Sequence, residues 1–167
     1  MNIGARIAGV AFATVTERDN FGRVKLNYPW LDASVSSDWV PVAAPMAGNG
    51  RGLHMMPEVG DEAVVAFDHG DFDHPVVLGF MWNGIDRTPS ADARERIICS
   101  KNGHKIHFVD STPVNGDKGA LIIEDANGNT VTLSNGKIAI QSTALLELKG
   151  KIVTINGRVV QPGPNPI

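Results

Sequence analysis

Val131-Thr132-Leu133-Ser134-Asn135-Gly136-Lys137-Ile138-Ala139-Ile140 is the stretch on which the reading of this chain turns. Apolar and polar residues alternate on both sides of Asn135-Gly136, and alternation with a period of two, closed by a tight-turn dipeptide, specifies one strand, one corner and a second strand. The same unit recurs on both sides, in Ile106-His107-Phe108, Leu121-Ile122-Ile123, Leu146-Glu147-Leu148 and Val153-Thr154-Ile155. Val131 to Ile138 is 7 residues, Ile138 to Leu146 is 8 and Leu146 to Val153 is 7, room for one strand and one turn per unit.

Such repeats carry one narrow apolar edge per strand and too little chain per turn to fold back over it. A single copy would leave a long apolar stripe in water, so other copies must cover it. Three chains around one axis satisfy the pattern. The expected axis residues are Ile106, Phe108, Leu121, Ile123, Val131, Leu133, Ile138, Ile140, Leu146, Leu148, Val153 and Ile155, with corners at Asn127-Gly128, Asn135-Gly136, Lys149-Gly150 and Asn156-Gly157. Residues 97–160 are thus expected to form an intertwined trimeric β-helix or β-prism, a three-sided needle.

Upstream the texture differs. β-type runs at Ile7 to Thr16, Gly22 to Trp30, Trp39 to Ala44, Gly60 to Phe67 and Pro75 to Trp82 make about five strands, the number in an oligonucleotide/oligosaccharide-binding (OB) barrel, expected over residues 1–84. Pro45 to Met56 is too glycine-rich for a stable strand or helix yet holds four large apolar residues, and reads as a long loop or short helix plugging the barrel bottom. Asp68 to Pro75 has the Gly, Asp and Pro content of a hairpin turn. The polar stretch 85–96 reads as a linker. At the other end, Gln161, Pro162, Pro164, Pro166 and Ile167 belong to a proline-rich segment, 161–167, that stops the ladder, because proline cannot donate to it. A blunt end there exposes Ile155 and Val159, and with the proline segment these are the expected seat of a tip protein.

Composition narrows the function. A net charge of -3 lacks the clustered Lys and Arg that nucleic acid demands. No run approaches the ~20 apolar residues of a membrane-spanning helix, so synthesis in the cytoplasm is expected. Cys99 is the only cysteine, which removes intrachain disulfides and redox pairs.

Candidate chemistry is sparse. His104 and His107, three apart, fall on opposite faces of a strand and do not share a metal. Asp68, His69, Asp71, Asp73 and His74 hold oxygen ligands at close spacing but fit a turn better than a cation loop. Phe21, Tyr28, Trp30 and Trp39 could stack bases, yet Asp32 and Asp38 lie among them, and packing is the better reading. Glu58, Asp61 and Glu62 enter a strand and do not face each other across a cleft as a glycosidase requires. No Ser/His/Asp order, phosphate loop or HExxH pattern appears. No catalytic residue, cofactor or metal is expected.

Gly22-Arg23-Val24-Lys25-Leu26-Asn27-Tyr28-Pro29-Trp30-Leu31, Ser37-Asp38-Trp39-Val40-Pro41-Val42-Ala43, Met56-Pro57-Glu58-Val59-Gly60-Asp61-Glu62 with Ala63 to Phe67, and Gly70-Asp71-Phe72-Asp73-His74-Pro75 with Val76 to Gly79 follow in one order. In that order they resemble the OB domain shared by phage baseplate spike proteins and type VI secretion VgrG proteins. Ser100 to Phe108 resembles the start of the needle in the same proteins. The resemblance implies a homotrimeric spike of a contractile injection system, whether phage tail, secretion apparatus or extracellular particle. It would be seated on a hub and would meet a target membrane only on puncture. The barrel runs begin within a few residues of Met1, as in the split form whose hub is a separate chain. Residues 85–96 are too short for the lysozyme domain that some phage relatives insert. The last residues lack the His-x-His iron site of certain phage needles, which implies a separate tip protein of the PAAR type. The alternatives are an OB protein that binds nucleic acid and a wall-degrading baseplate enzyme.

Overall fold

The computed structural model describes residues 6–31, 35–111 and 116–160. The chain divides into two compact units, Met1–Thr88 and Pro89–Ile167. Glu95 and Arg96, read in the sequence as linker, are the first residues of a strand.

In the first unit β1 (Val10–Arg18), β2 (Arg23–Asn27), β3 (Val40–Pro41), β6 (Glu62–Phe67) and β7 (Pro75–Phe80) form one sheet in the order β3-β2-β1-β6-β7. All five derive from the five runs read in the sequence; four are shortened, and β1 starts later than its run and continues past Thr16 to Arg18. Strand β1 serves two partners: Val10 to Thr14 pair with β6, and Thr14 to Arg18 pair with β2 across a register shift between Val15 and Glu17. That shift turns the strand, as a bulge does, and lets the sheet curl. Closure comes from a parallel bridge between Val42 and Val77, with the Ala43 amide donating to the Val77 carbonyl at 2.8 Å. The result is a nearly closed five-stranded barrel, an OB-fold.

Alternation then decides what lies inside. Ala13, Val15, Val24, Leu26, Val40, Ala63, Val65, Phe67 and Val77 point inward with Tyr28 and form a buried cluster. Tyr28 packs against Phe67 and Phe72, with ring centroids 6.1 and 5.3 Å away.

Residues 45–56 do not plug the barrel. Ala47–Gly48 (β4) pairs with Arg51–Gly52 (β5) in a small separate hairpin. Met46, Leu53 and Met55 are exposed there, and only Met56 packs against the core. Gly48-Asn49-Gly50 supplies turn chemistry, which folds this segment on itself before it can enter the barrel. Between β6 and β7, Asp68–Gly70 forms a single 3-10 turn with His69 at φ 49°, so Asp68 to His74 is the tight connection its composition suggests.

In the second unit β8 (Glu95–Cys99), β9 (Lys105–Val109), β10 (Ala120–Glu124), β11 (Thr130–Ser134) and β12 (Lys137–Gln141) form an antiparallel meander. Asn135 at φ 49° and Gly136 at φ 78° make the corner between β11 and β12, the left-handed pair that a two-residue hairpin requires. A second such corner, Asn156-Gly157, joins β13 (Thr154–Ile155) to β14 (Arg158–Val159). Leu146 to Leu148, read as a strand, is not in one: residues 142–153 find no ladder partner among the described residues. Lys149-Gly150, read as a corner, closes no hairpin.

Candidate functional site: the apolar face of the second unit

Register builds this face. Across the meander, Ile98, Ile106, Ile123, Val131 and Ile140 stand opposite one another in one row, and Phe108, Leu121, Leu133 and Ile138 in the next. Directly opposed residues on neighbouring strands share a face, as do residues two apart on one strand. All nine side chains therefore lie on one side of the sheet. Seven of them are 40 to 70% exposed, and Leu121 and Val131 are half-buried.

Every buried hydrophobic residue among those described lies between Ala13 and Val77, in the barrel. The second unit has none. A sheet whose apolar side remains in water is half of a packed structure, because a sheet must bury its hydrophobic face against another layer.

Of the twelve residues expected on the axis, the structure brings eight together on this face: Ile106, Phe108, Leu121, Ile123, Val131, Leu133, Ile138 and Ile140. Leu146, Leu148, Val153 and Ile155 lie beyond the sheet. Leu146, Leu148 and Ile155 are exposed, and Val153 is held by the Val160 amide, which donates to its carbonyl at 2.8 Å. Ile98 belongs to the face and was missed in the sequence, since Ile97-Ile98 is an unbroken apolar pair in which alternation does not identify the member that joins the repeat.

Ile155 and Val159, expected in one layer, stand on opposite faces of their hairpin. Ile155 is opposite Arg158 and Val159 is opposite Thr154. Gln161, Pro162, Pro164, Pro166 and Ile167 lie outside the described residues, as does Asp32.

The other face of the sheet is mixed, with Ile97, Val109 and Ile122 among polar residues. His107 sits there between Glu95 and Glu124 on the adjacent strands, its nitrogens 4.0 and 3.7 Å from their carboxylates, buried and without a hydrogen bond. His104 lies outside β9, in the turn before it, and its Nδ1 accepts the Ala126 amide at 3.2 Å. The two histidines point to different partners.

In the barrel, Asp71 accepts the Asp73 amide at 3.0 Å and the His74 ring at 2.9 Å, which hold its carboxyl below the usual value. The Asp/His loop is thus knit to itself. Among the described residues no group of three His, Cys, Asp or Glu is placed to hold a metal. Glu58 pairs with Arg18 at 3.2 Å, and Asp61 caps the Glu58 amide at 2.9 Å. Both carboxylates therefore serve the turn before β6.

The aromatic residues separate into two groups. Tyr28 and Trp30 cluster with Phe67 and Phe72, whereas Phe21 and Trp39 flank the guanidinium of Arg23 at 5.5 and 5.7 Å. Lys25 lies 5.0 Å over Trp39. Sequence reading missed these two cations beside the rings, since cross-strand contacts bring them there. Each cation is neutralised: Arg23 pairs with Asp19 at 2.7 Å and Lys25 with Glu17 at 3.0 Å. A phosphate would have to displace those acids.

Comparison with known proteins agrees with this geometry. Residues 8–82 match the type VI secretion system/phage-baseplate injector OB domain. The chain is 40% identical over 93 residues to the type VI secretion system spike protein VgrG3 of Vibrio cholerae, covering 52% of this chain and 9% of that protein. It is 33% identical over 106 residues to the spike protein VgrG2a of Pseudomonas aeruginosa, covering 57% of this chain and 13% of the relative. With the spike protein VgrG5 of the same organism it shares 30% over 128 residues, 74% of this chain and 15% of the relative. The chain thus spans between 9 and 15% of the length of these relatives. Residues 8–82 thus belong to the injector OB-domain family of type VI secretion systems and phage baseplates, and at 30 to 40% identity the chain is similar to VgrG spike proteins.

Proposed function

We propose that this chain is the spike subunit of a contractile injection system, that it works as a homotrimer, and that its role is mechanical. The observation that carries this reading is the second unit: nine large apolar side chains on one face of a sheet that buries no residue of its own. Three such faces turned toward one axis would cover one another, and the shared face of eight of the twelve expected axis residues supports that reading. The sheet over residues 95–141 completes its ladders within one chain, so each copy supplies one wall of a prism. Intertwining then belongs to residues 142–160, where Leu146 and Leu148 keep strand alternation without a ladder partner among the described residues.

In this reading the barrel seats on a hub protein. The far end, with exposed Ile155 and Val159 and the segment Gln161 to Ile167, receives a PAAR-type tip protein. Contraction drives the assembly forward, and the needle meets the target membrane only then. Among the described residues no helix is long and apolar enough to cross a membrane. The arrangement works without a catalytic residue or cofactor.

Light scattering tests the assembly. A mass of three times 17.8 kDa that resists dilution is expected, and a stable monomer overturns the reading. Removal of Gln161 to Ile167 should leave the trimer intact while weakening its affinity for a PAAR-type protein. Unchanged affinity would remove the tip from the proposal.

A further inference from the structure

Strands β2 and β3 present a second group of side chains on the outside of the barrel. Val24, Leu26 and Val40 point inward, and Val24 stands opposite Val40. Alternation therefore turns Arg23, Lys25 and Trp39 outward together. Glu17 joins them from β1, directly across from Lys25. The turn between β1 and β2 adds Phe21, whose ring lies 5.5 Å from the Arg23 guanidinium.

Phe21 is 85% exposed, so packing does not account for it. Its place is set all the same. Asp19 Oδ1 accepts the Phe21 and Arg23 amides, each at 2.9 Å. Asp19 Oδ2 accepts Nε and Nη2 of Arg23 at 2.8 and 2.7 Å. One carboxylate thus holds the turn, the ring and the guanidinium before any ligand arrives, and such preorganisation lowers the cost of binding.

The polar atoms left over define what fits. Among the described residues, Nη1 of Arg23 and Oε2 of Glu17 make no hydrogen bond, and the Lys25 ammonium bonds only Glu17 Oε1, at 3.0 Å. The face therefore offers donors and an acceptor side by side between two aromatic rings. Arg23 and Lys25 cancel Asp19 and Glu17 in formal charge, so a phosphate chain gains no net attraction here. A wholly apolar ligand would leave the donors and the acceptor unpaired. A neutral, hydroxyl-rich molecule with a flat apolar side satisfies both, because each hydroxyl donates and accepts. A pyranose ring with equatorial hydroxyls has that form, its C–H side lying on an aromatic face.

We propose that Phe21, Trp39, Arg23, Lys25 and Glu17 form a binding site for a neutral oligosaccharide. The second and third strands and the loop before them are where OB barrels take oligonucleotides and oligosaccharides, and the charge balance on this face selects the latter. The site goes beyond the spike reading and does not depend on it.

Isothermal titration calorimetry of the full chain with chitotetraose and cellotetraose tests this. At least one should bind with a Kd of about 1 mM or tighter, and an oligothymidylate of similar length about ten-fold more weakly. Phe21→Ala, at an exposed position, should melt as the native chain does and weaken sugar binding about ten-fold. Trp39→Ala should weaken it as much; should that variant fail to fold, Phe21→Ala still decides. Absence of binding by both sugars up to about 10 mM overturns the site. Sugar binding unchanged in Phe21→Ala also overturns it. Tighter, salt-sensitive binding of oligothymidylate overturns the ligand class and makes this face a nucleic-acid site.

Discussion

Ile140 of β12 stands directly across from Val131 of β11, and the next residue, Gln141, stands across from Thr130 on the other side of the sheet. One step along the chain thus changes a side chain from the apolar face to the mixed one. In the proposed trimer, Ile140→Asp should abolish assembly or sharply lower the melting temperature: each copy would lose about 2 kcal/mol of apolar burial and gain a carboxylate facing two others. Gln141→Asp should leave the trimer's mass and melting nearly unchanged. Equal damage from both would mean that this face is not the one buried.

Tyr28 is 1% exposed, and among the described residues its hydroxyl has no hydrogen-bond partner; burial also pushes its pKa up. Tyr28→Phe should therefore be neutral or stabilising by up to about 1 kcal/mol in chemical denaturation. Leu26→Ala, at a fully buried position of the same barrel, should cost about 2 to 5 kcal/mol. Loss of stability in Tyr28→Phe comparable to that in Leu26→Ala would reveal a partner for the hydroxyl.

Gly119, at φ +82°, enters β10 so close to the Val109 carbonyl that a Cβ there would overlap the oxygen. Gly136, at φ +78°, faces open space. Gly119→Ala should then cost about 3 kcal/mol or more and weaken the β9 to β10 pairing. Gly136→Ala should cost about 1 to 2 kcal/mol, from backbone strain alone. Thermal melting of the two variants separates the effects.

Two turn carboxylates tie the second unit's stability to pH. Asp125 accepts bonds from the side chain and backbone of Asn129, and Asp117 from the Gly119 amide and the Asn135 side chain; both are held below the ordinary value of 3.8. A carboxyl depressed by folding binds its proton more readily in the unfolded chain. Its stabilisation is therefore complete above about pH 4 and is lost as pH falls through the lowered folded value. Melting of the second unit should drop in that acid range, and Asp125→Asn should flatten the dependence. A melting temperature independent of pH between 2 and about 5 would contradict the assignment.

Much of this was legible in the chain itself. Period-two alternation identified the strands of the barrel and four of the five in the meander, since a strand's side chains alternate whatever it packs against; Glu95–Cys99, half of it read as linker, was missed. Asn135-Gly136 and Asn156-Gly157 named their corners because few dipeptides tolerate two left-handed residues in succession. The order of the barrel motifs was enough to indicate the family. The same local rules misjudged residues 45–56, where apolar content suggested a plug while turn chemistry made a separate hairpin.

What only the tertiary structure decided is which strands pair with which. Alternation places Ile138 and Ile140 on one face but is silent on whether their ladder partner is in the same chain or another. The fold shows that residues 95–141 satisfy one another, whereas Leu146 and Leu148, with an equally clear pattern, do not. Pairing depends on contacts distant in sequence, and so did the placing of Arg23 and Lys25 beside Trp39. The chain determined its strands and corners because those are set by neighbours one to four residues away. Its sheets, their edges and the face left without cover were decided by three-dimensional closure.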